Sequence, residues 1–377
     1  VWGVLIGLIS VLVSNAAVPA ATYQPPFVVY LAPTDAGGSD LNDGLTPEHP
    51  INTLMRAQGI IALAQPSTDV EVRIKAGTYV AQPLWEWRTY LSGRTISFMP
   101  DDYQPGDSAA GITSRPIFRN AKCGGKYCEG YWFQLRLPIS PSDRLYEGGT
   151  SGLRFYYLQV ENYSAGGVSV FGESEREYRD KRYKPALWRK ASKGLNGNTF
   201  AGMNFRRLGN KWTRGKFGYG AITLTNSSGN RIVNNSFTEI ENAGARGPYI
   251  HGVYVTHFSS DNRVERNTFN RNSGDAVKVR DQSNRNLFRQ NVFIRSGDQS
   301  FYRDEYCDRR CASVYRVVRQ CASYGNHFVR NRLVSGYRGG RIKPWTLGPG
   351  GLTNAGGTPC KLPKGERRLR TGHNSWG

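Results

Sequence analysis

The chain has 377 residues, with 50 Lys and Arg against 29 Asp and Glu, a formal net charge of +21. Hydrophobic residues at 38% supply enough apolar material for a core, which excludes bulk disorder. No long 3.6-residue periodicity rich in Ala, Leu and Glu is present, which excludes a helical bundle, and the basic excess calls for an acidic partner: a polyanionic glycan, a nucleic acid or an anionic surface.

Residues 2–13, WGVLIGLISVLV, are apolar and uncharged, and Asn15 and the small-residue run AAVPAA follow. This resembles the apolar region and cleavage site of a signal peptide spanning residues 1–20. It falls short of the ~20 apolar residues of a membrane span. The expectation is a secreted protein with no stable membrane insertion after processing.

Residues 28–34 read as a strand, followed by a Gly/Asp-rich loop and an amphipathic helix from about Ile51 to Ala64. Residues 70–80, VEVRIKAGTYV, alternate as a strand with a Gly-containing turn. The order strand, SDxNDG loop, helix and AGTY strand is carried by Ser39, Asp40, Asn42, Asp43, Gly44, Pro50, Thr53, Leu54, Ala57 and Ala76–Tyr79. It resembles the amino-terminal cap of secreted right-handed parallel β-helix proteins. The resemblance implies that fold and says little about substrate.

Six cysteines, at 123, 128, 307, 311, 321 and 360, suit an oxidising compartment. Cys123 and Cys128 flank a Gly-Gly turn and make a plausible local disulfide; the other four can form two more. No His spacing matches a zinc site. Asn162, Asn226 and Asn234 each begin an N-x-S/T sequon.

A repeat appears further along. NRIVNNSF (230–237), NRVERNTF (262–269), NRNLFRQNVF (284–293) and NHFVRNRL (326–333) share an Asn-started turn, a short strand and a closing Asn-x-Phe or Asn-x-Leu. The closing Asn235, Asn267, Asn291 and Asn331 are spaced by 32, 24 and 40 residues. A period near two dozen with insertions suits a coil of three short strands, and coils must stack to pair their edges. A recurrent Asn can build a ladder of side-chain amides, and its tolerance of left-handed φ suits a bend. The expected fold is all-β: a right-handed parallel β-helix over residues 21–347 with an N-terminal capping helix. Insertions are expected near 172–217 and 296–321, and a basic, Gly-rich tail over 348–377 that wraps loosely.

Stacking the strands 220–225, 251–256 and 275–280 aligns Ile222 with Val253 and Val277, and Leu224 with Val255 and Val279, facing the core. The other parity gives two outward columns: Thr223, Tyr254 and Lys278; and Thr225, Thr256 and Arg280. A lyase acting on uronates needs a cation at the substrate carboxylate, a base for the C5 proton and an acid for the leaving oxygen. Lys278, Arg280 and Tyr254 suit these roles as base, neutraliser and acid, with Arg280 expected to depress the Lys278 pKa.

DAVKVRDQSNRNLFRQNVF (275–293) resembles the polysaccharide lyases of the alginate lyase and chondroitinase B group. That resemblance places Lys278 on the family's base and leaves Arg303 and Arg295 as candidates for its arginine on the next coil. The family's calcium-binding acidic motif is not recognisable. HGVYVTH (251–257) resembles a stretch of uronate epimerases without their Asp-Pro-His-Asp motif. His251 is a second candidate base, oriented by Asp275, and His257 and Asp275 are candidates for substrate binding.

Glycoside hydrolysis requires two carboxylates ~5–9.5 Å apart. Asp275, Asp281, Asp298, Asp304 and Glu305 are available, while the Asn-x-Asp, Asp-Asp and Gly-His elements of galacturonan hydrolases are absent. Asp298, Asp304, Glu305 and Asp308 offer oxygens for calcium, with ion pairing to Arg303, Arg309 and Arg310 the favoured reading. No cofactor or metal is required by the sequence, although calcium is a candidate. The expected partner is an acidic polysaccharide bound by a monomer; no nucleic-acid motif is present. A β-eliminating lyase is the leading function, with a uronate epimerase, a glycoside hydrolase and a non-catalytic glycan-binding protein as alternatives.

Overall fold

The computed structural model describes residues 24–80, 86–104, 106, 114–121, 130–140, 142–145, 148–172, 194–306, 320–348 and 362–377. The expected leader and the cysteines other than Cys321 lie outside them. Cys321 is disulfide-bonded. Among the described residues no helix is long and apolar enough to cross a membrane.

Among those residues the chain winds as a right-handed parallel β-helix whose three long sheets have ten, nine and eight strands. One coil shows the plan. Arg263–Glu265 adds to the ten-stranded sheet, Thr268–Asn272 to the nine-stranded sheet and Val277–Val279 to the eight-stranded sheet. Each strand pairs in parallel with its equivalent one coil away, as in Phe269 with Phe237 and Phe293. The helix Leu54–Ala64 buries Leu54, Ala57 and Ile61. Thr53 caps it by accepting from the Arg56 amide at 3.1 Å, and Asp40 fixes Thr53 through a 2.6 Å hydrogen bond.

The Asn-x-Phe pattern has two physical parts. The Asn side chains form ladders, the first through Asn198, Asn230, Asn262, Asn286 and Asn326 and the second through Asn235, Asn267, Asn291, Asn331 and Asn374. In each rung the amide nitrogen donates to the next Asn Oδ1, and that same oxygen also accepts a backbone N–H. The Phe two residues later turns inward. Phe205, Phe237, Phe269 and Phe293 stack at 5.3, 4.8 and 4.9 Å. Each fully buried Phe contributes ~2–3 kcal/mol. Gly252 belongs to this packing, since a Cβ there would meet Phe269 at 2.5 Å.

The ladder differs from expectation in one respect: its Asn residues do not take the left-handed conformation. The residue before each does. Asn234, Arg266, Gln290 and Arg330 have φ of 56°, 56°, 57° and 55°. The strain of a non-glycine αL residue is offset by the hydrogen bonds that the following Asn makes only in that bend.

Three expected boundaries are corrected. Residues 172–217 are not one insertion, because Thr199–Ala201 and Asn204–Leu208 form strands of the ten- and nine-stranded sheets. Asn198 opens the first ladder there, and Met203 stands where later coils have the closing Asn, its amide donating to Asn235 Oδ1 at 2.8 Å. Within 296–321, Ser300–Asp304 is a strand of the eight-stranded sheet. Nor is the end of the chain a loose wrap: Leu369–Gly372 and Ser375–Trp376 add to the ten- and nine-stranded sheets. Asn374-Ser-Trp repeats the Asn-x-Phe pattern with Trp in place of Phe, and Asn374 continues the second ladder.

Candidate functional site on the eight-stranded sheet

The outward face of the eight-stranded sheet gathers the candidate residues. Ile222, Val253 and Val277 align, as do Leu224, Val255 and Val279, and all six are buried. The opposite parity forms a column of Ser169, Thr223, Tyr254, Lys278, Arg303 and Thr346 in direct register. Rungs ~4.8 Å apart let neighbouring members of such a column touch one ligand. Ser169, Thr223 and Thr256 point outward yet are buried, and among the described residues their hydroxyls have no hydrogen-bond partner.

Glu305, one residue past the strand Ser300–Asp304, is the centre of the charged group; it was expected as a hydrolytic carboxylate or a calcium oxygen paired with Arg303, and its contact with Lys278 was not expected. Lys278 Nζ donates to its Oε2 at 2.6 Å. Arg303 holds both of its oxygens, with Nε 3.2 Å from Oε2 and Nη2 3.2 Å from Oε1. Burial alone would raise the Glu305 pKa, but Lys278, Arg303 and Arg280 outweigh it and hold the carboxyl below its ordinary value. A carboxylate that adjoins a Lys-x-Arg strand could have been suspected from sequence. Its convergence with Lys278 was hidden, because 27 residues separate them.

The surroundings of Lys278 differ from the expected ones. Arg280 donates from Nε to Gln320 Oε1 at 2.7 Å, while Glu305 lies in contact with Lys278. The ion pair with Glu305 occupies Lys278 Nζ, whereas a base must present its nitrogen to the substrate.

His251 is buried at the start of the strand His251–Thr256. The expected pairing with the Asp275 carboxylate is not made. His251 Nδ1 instead bonds the Asp275 backbone oxygen at 2.7 Å. The carboxylate accepts from the Gln299 and Ser300 amides at 3.1 and 2.9 Å and faces Arg303 Nη1 at 3.6 Å. The cause is the turn after Gly297, whose free backbone N–H groups reach Asp275 first. Burial, then Lys278, pushes the His251 pKa well below its ordinary value, with Arg303 adding to the effect. The ring is therefore neutral; with Nδ1–H donating to a carbonyl, Nε2 is the acceptor nitrogen. Tyr254 lies beside it, ring centroids 5.4 Å apart. Burial also raises the Asp275 pKa against the opposing Ser300 amide and Arg303.

Two expected residues fall elsewhere. Arg295 is exposed at the corner after the strand Val292–Ile294, in the nine-stranded sheet, and not in the column. Of the two arginines considered for the next coil, Arg303 is the one in register with Lys278. His257 sits past the far end of its strand, where Nδ1 is 2.9 Å from Asp281 Oδ2 and φ is 47°. Asp281 also accepts from the Cys321 amide at 3.1 Å, so this pair ties a corner of the coil.

The proposed calcium oxygens do not share one centre. Asp304 is fully buried and faces Arg368 at 3.4 Å. Glu305 faces the cations above, and Asp298 borders a cleft with Lys211 and Tyr337. Asp308 is outside the described residues. Among the described residues no three His, Cys, Asp or Glu side chains group to hold a metal.

Residues 145–309 match the family model described as the right handed beta helix region. No curated protein matches the sequence. Among solved structures, a rhamnogalacturonan lyase is similar at 14% identity, covering 81% of this chain and 68% of that one, with a TM-score of 0.47. An alginate lyase from Paenibacillus sp. str. FPU-7 is similar at 12% identity, covering 85% and 93%, with a TM-score of 0.41. A pectate lyase is similar at 12% identity, covering 85% and 73%, with a TM-score of 0.39. With the family match across its central coils and the stacked sheets described above, the chain is a right-handed parallel β-helix protein.

Proposed function

We propose that this chain is a secreted enzyme that cleaves an acidic, uronate-containing polysaccharide by β-elimination. The observation that carries the reading is the convergence of Lys278 and Arg303 on the Glu305 carboxylate, with the charge of Arg280 adding from further off. Glu305 occupies the position that a uronate carboxylate takes when it displaces that side chain. Two cations at that carboxylate make the adjacent C5 proton more acidic by stabilising the enolate-like charge that develops on its removal. Neutral His251 accepts the proton through Nε2, and the Tyr254 hydroxyl protonates the leaving oxygen. Lys278 serves as a cation in this scheme and not as the base. No metal or cofactor is called on, and a monomer suffices.

A second reading is favoured by one observation: Arg303 bridges two carboxylates whose environments differ. Burial raises Asp275, and the cations hold Glu305 down. Such a split is what an acid and nucleophile of a glycosidase need. The two readings separate in one assay. Acidic glycans are incubated with the protein and followed for ultraviolet absorbance of unsaturated uronate ends and for new reducing ends. Both signals rising together support elimination. Reducing ends without absorbance support hydrolysis, and neither signal on any acidic glycan removes both.

A further inference from the structure

A groove of about 850 Å3 lies on a different face, the outside of the ten-stranded sheet. Its floor is built from two outward columns. Arg154, Thr199 and Arg231 align in register in one, and Tyr156, Ala201 and Val233 in the other. The alternate residues Phe155, Phe200 and Ile232 face the core, so the parity of the floor is fixed by the core packing. Residues 92–95, 143–145 and 150–152 supply the walls.

The floor is chemically asymmetric. Arg154 and Arg231 are exposed and make no ion pair among the described residues, and Arg94 adds a third such cation from the wall. Arg154 and Arg231 stand two rungs apart, ~10 Å, and Arg263 continues the column one rung further. Asp143 is the acidic group in the lining, and its Oδ1 is engaged by the Leu145 amide at 2.8 Å. Beside the arginines, Ala201 and Val233 form a shallow apolar strip ended by Tyr156.

We propose that this groove is a second binding site for an acidic polysaccharide, separate from the eight-stranded sheet, that holds a chain segment along the coil axis. The proposal rests on the substrate class proposed above. Guanidinium groups recurring along a column bind carboxylates or sulfates that recur along a polymer. The apolar strip suits the C–H face of a sugar ring, as Tyr156 does. A single-stranded nucleic acid would instead need several exposed aromatic faces to stack its bases. Tyr90, the other aromatic of the lining, is buried with its hydroxyl bonded to the Trp87 and Arg136 carbonyls.

The test uses polygalacturonate and alginate oligomers, a fully methyl-esterified polygalacturonate and a single-stranded DNA of matched charge. Binding is measured at low salt on the wild type, on Lys278→Ala/Arg303→Ala and on Arg154→Ala/Arg231→Ala. Arg154→Ala/Arg231→Ala should share the wild-type thermal midpoint, since the groove arginines are exposed, and Lys278→Ala/Arg303→Ala, which leaves the buried Asp275 without its cation, is measured below its own midpoint. The expected result is that Lys278→Ala/Arg303→Ala still binds at least one acidic oligomer. Adding Arg154→Ala/Arg231→Ala should weaken that binding about 10-fold per arginine. The esterified polymer should bind poorly. Unchanged binding on loss of both arginines overturns the proposal, as does DNA that binds as tightly as the glycan. Turnover of short oligomers by Arg154→Ala/Arg231→Ala keeps the two ideas apart. If turnover is intact and binding is unaffected, the groove fails while the enzymatic reading stands. If no turnover exists in any protein but groove binding does, the enzymatic reading fails alone.

Discussion

Lys278 Nζ and Glu305 Oε2 are 2.6 Å apart across two neighbouring coils, with side chains 15% and 37% exposed. The pair is open enough for water to screen it, so its net stability contribution is small. Its interest is chemical: an acidic side chain already fills a cation site on the face where a substrate carboxylate is proposed to bind. Glu305→Gln should leave the cations without their internal partner. KM for an acidic oligosaccharide is expected to fall several-fold, with kcat changed less. Loss of all turnover in Glu305→Gln would instead mark it as a reacting carboxylate and favour hydrolysis.

Lys278→Ala should fold normally, because the side chain points away from the core, and should lower kcat/KM by ~10²–10³-fold. Arg303→Lys should keep a charge but lose the two-point hold on a carboxylate, with a smaller loss. Steady-state kinetics beside a melting curve decides both. A Lys278→Ala protein with normal turnover would remove the carboxylate-binding role.

The buried His251 gives a pH dependence of stability with a definite sign. Its folded pKa lies well below the unfolded value of ~6.5. The unfolded chain therefore binds the extra proton first as pH falls. His251 is without penalty above pH ~6.5, and stability drops as pH is lowered below that value. Asp304 works the other way. Burial pushes it up to about 6, so the folded state takes its proton first and stability falls as pH rises through that window. Comparing the wild type with His251→Asn isolates the histidine. The difference in melting temperature should change between pH 7 and pH 5, with the wild type losing more. A difference independent of pH would mean that the ring is not held neutral.

The second Asn ladder predicts a large local cost. Asn267→Ala removes an Oδ1 that accepts from the Asn235 amide and side chain, both at 2.9 Å, and an Nδ2 that donates to Ile232 O and Asn291 Oδ1. Buried donors left unpaired cost ~1–3 kcal/mol each, so a loss on the order of 4 kcal/mol is expected. Asn234→Ala, one residue before Asn235 and exposed, trades a tolerated αL residue for a less tolerated one and gives up an exposed hydrogen bond from Arg266 Nε at 3.0 Å, and should cost ~1 kcal/mol. Denaturant unfolding of the two variants tests the ranking; equal losses would show that the bend, and not the rung, carries the stability.

Local chemistry made the fold legible in sequence. The Asn-x-Phe pattern at 235, 267 and 291 announces a buried amide and a buried ring in each coil, and the alternation in HGVYVT and DAVKVR fixes which side chains turn inward. Both are short-range facts, set by the two-residue period of a strand and by the bend before each Asn. They also fixed the neighbours Tyr254 and Lys278, because equal strand phase in successive coils leaves one register that buries the valines. The coil at 195–208 and the closing strands near the end of the chain were misread because their patterns carry Met203 or Trp376 where the other coils have Asn or Phe.

The charged site was another matter. That Glu305 would meet Lys278, that Arg303 and not Arg295 would fall in their column, and that Asp275 would turn to Arg303 and the Ser300 amide instead of His251 all depended on the length of the turns between coils. A turn longer by one residue would rotate Arg303 to the opposite face. Only the closed coil decides that phase, because apolar side chains packed from three sheets leave one alignment without voids, and the charges outside must take the positions that alignment gives them.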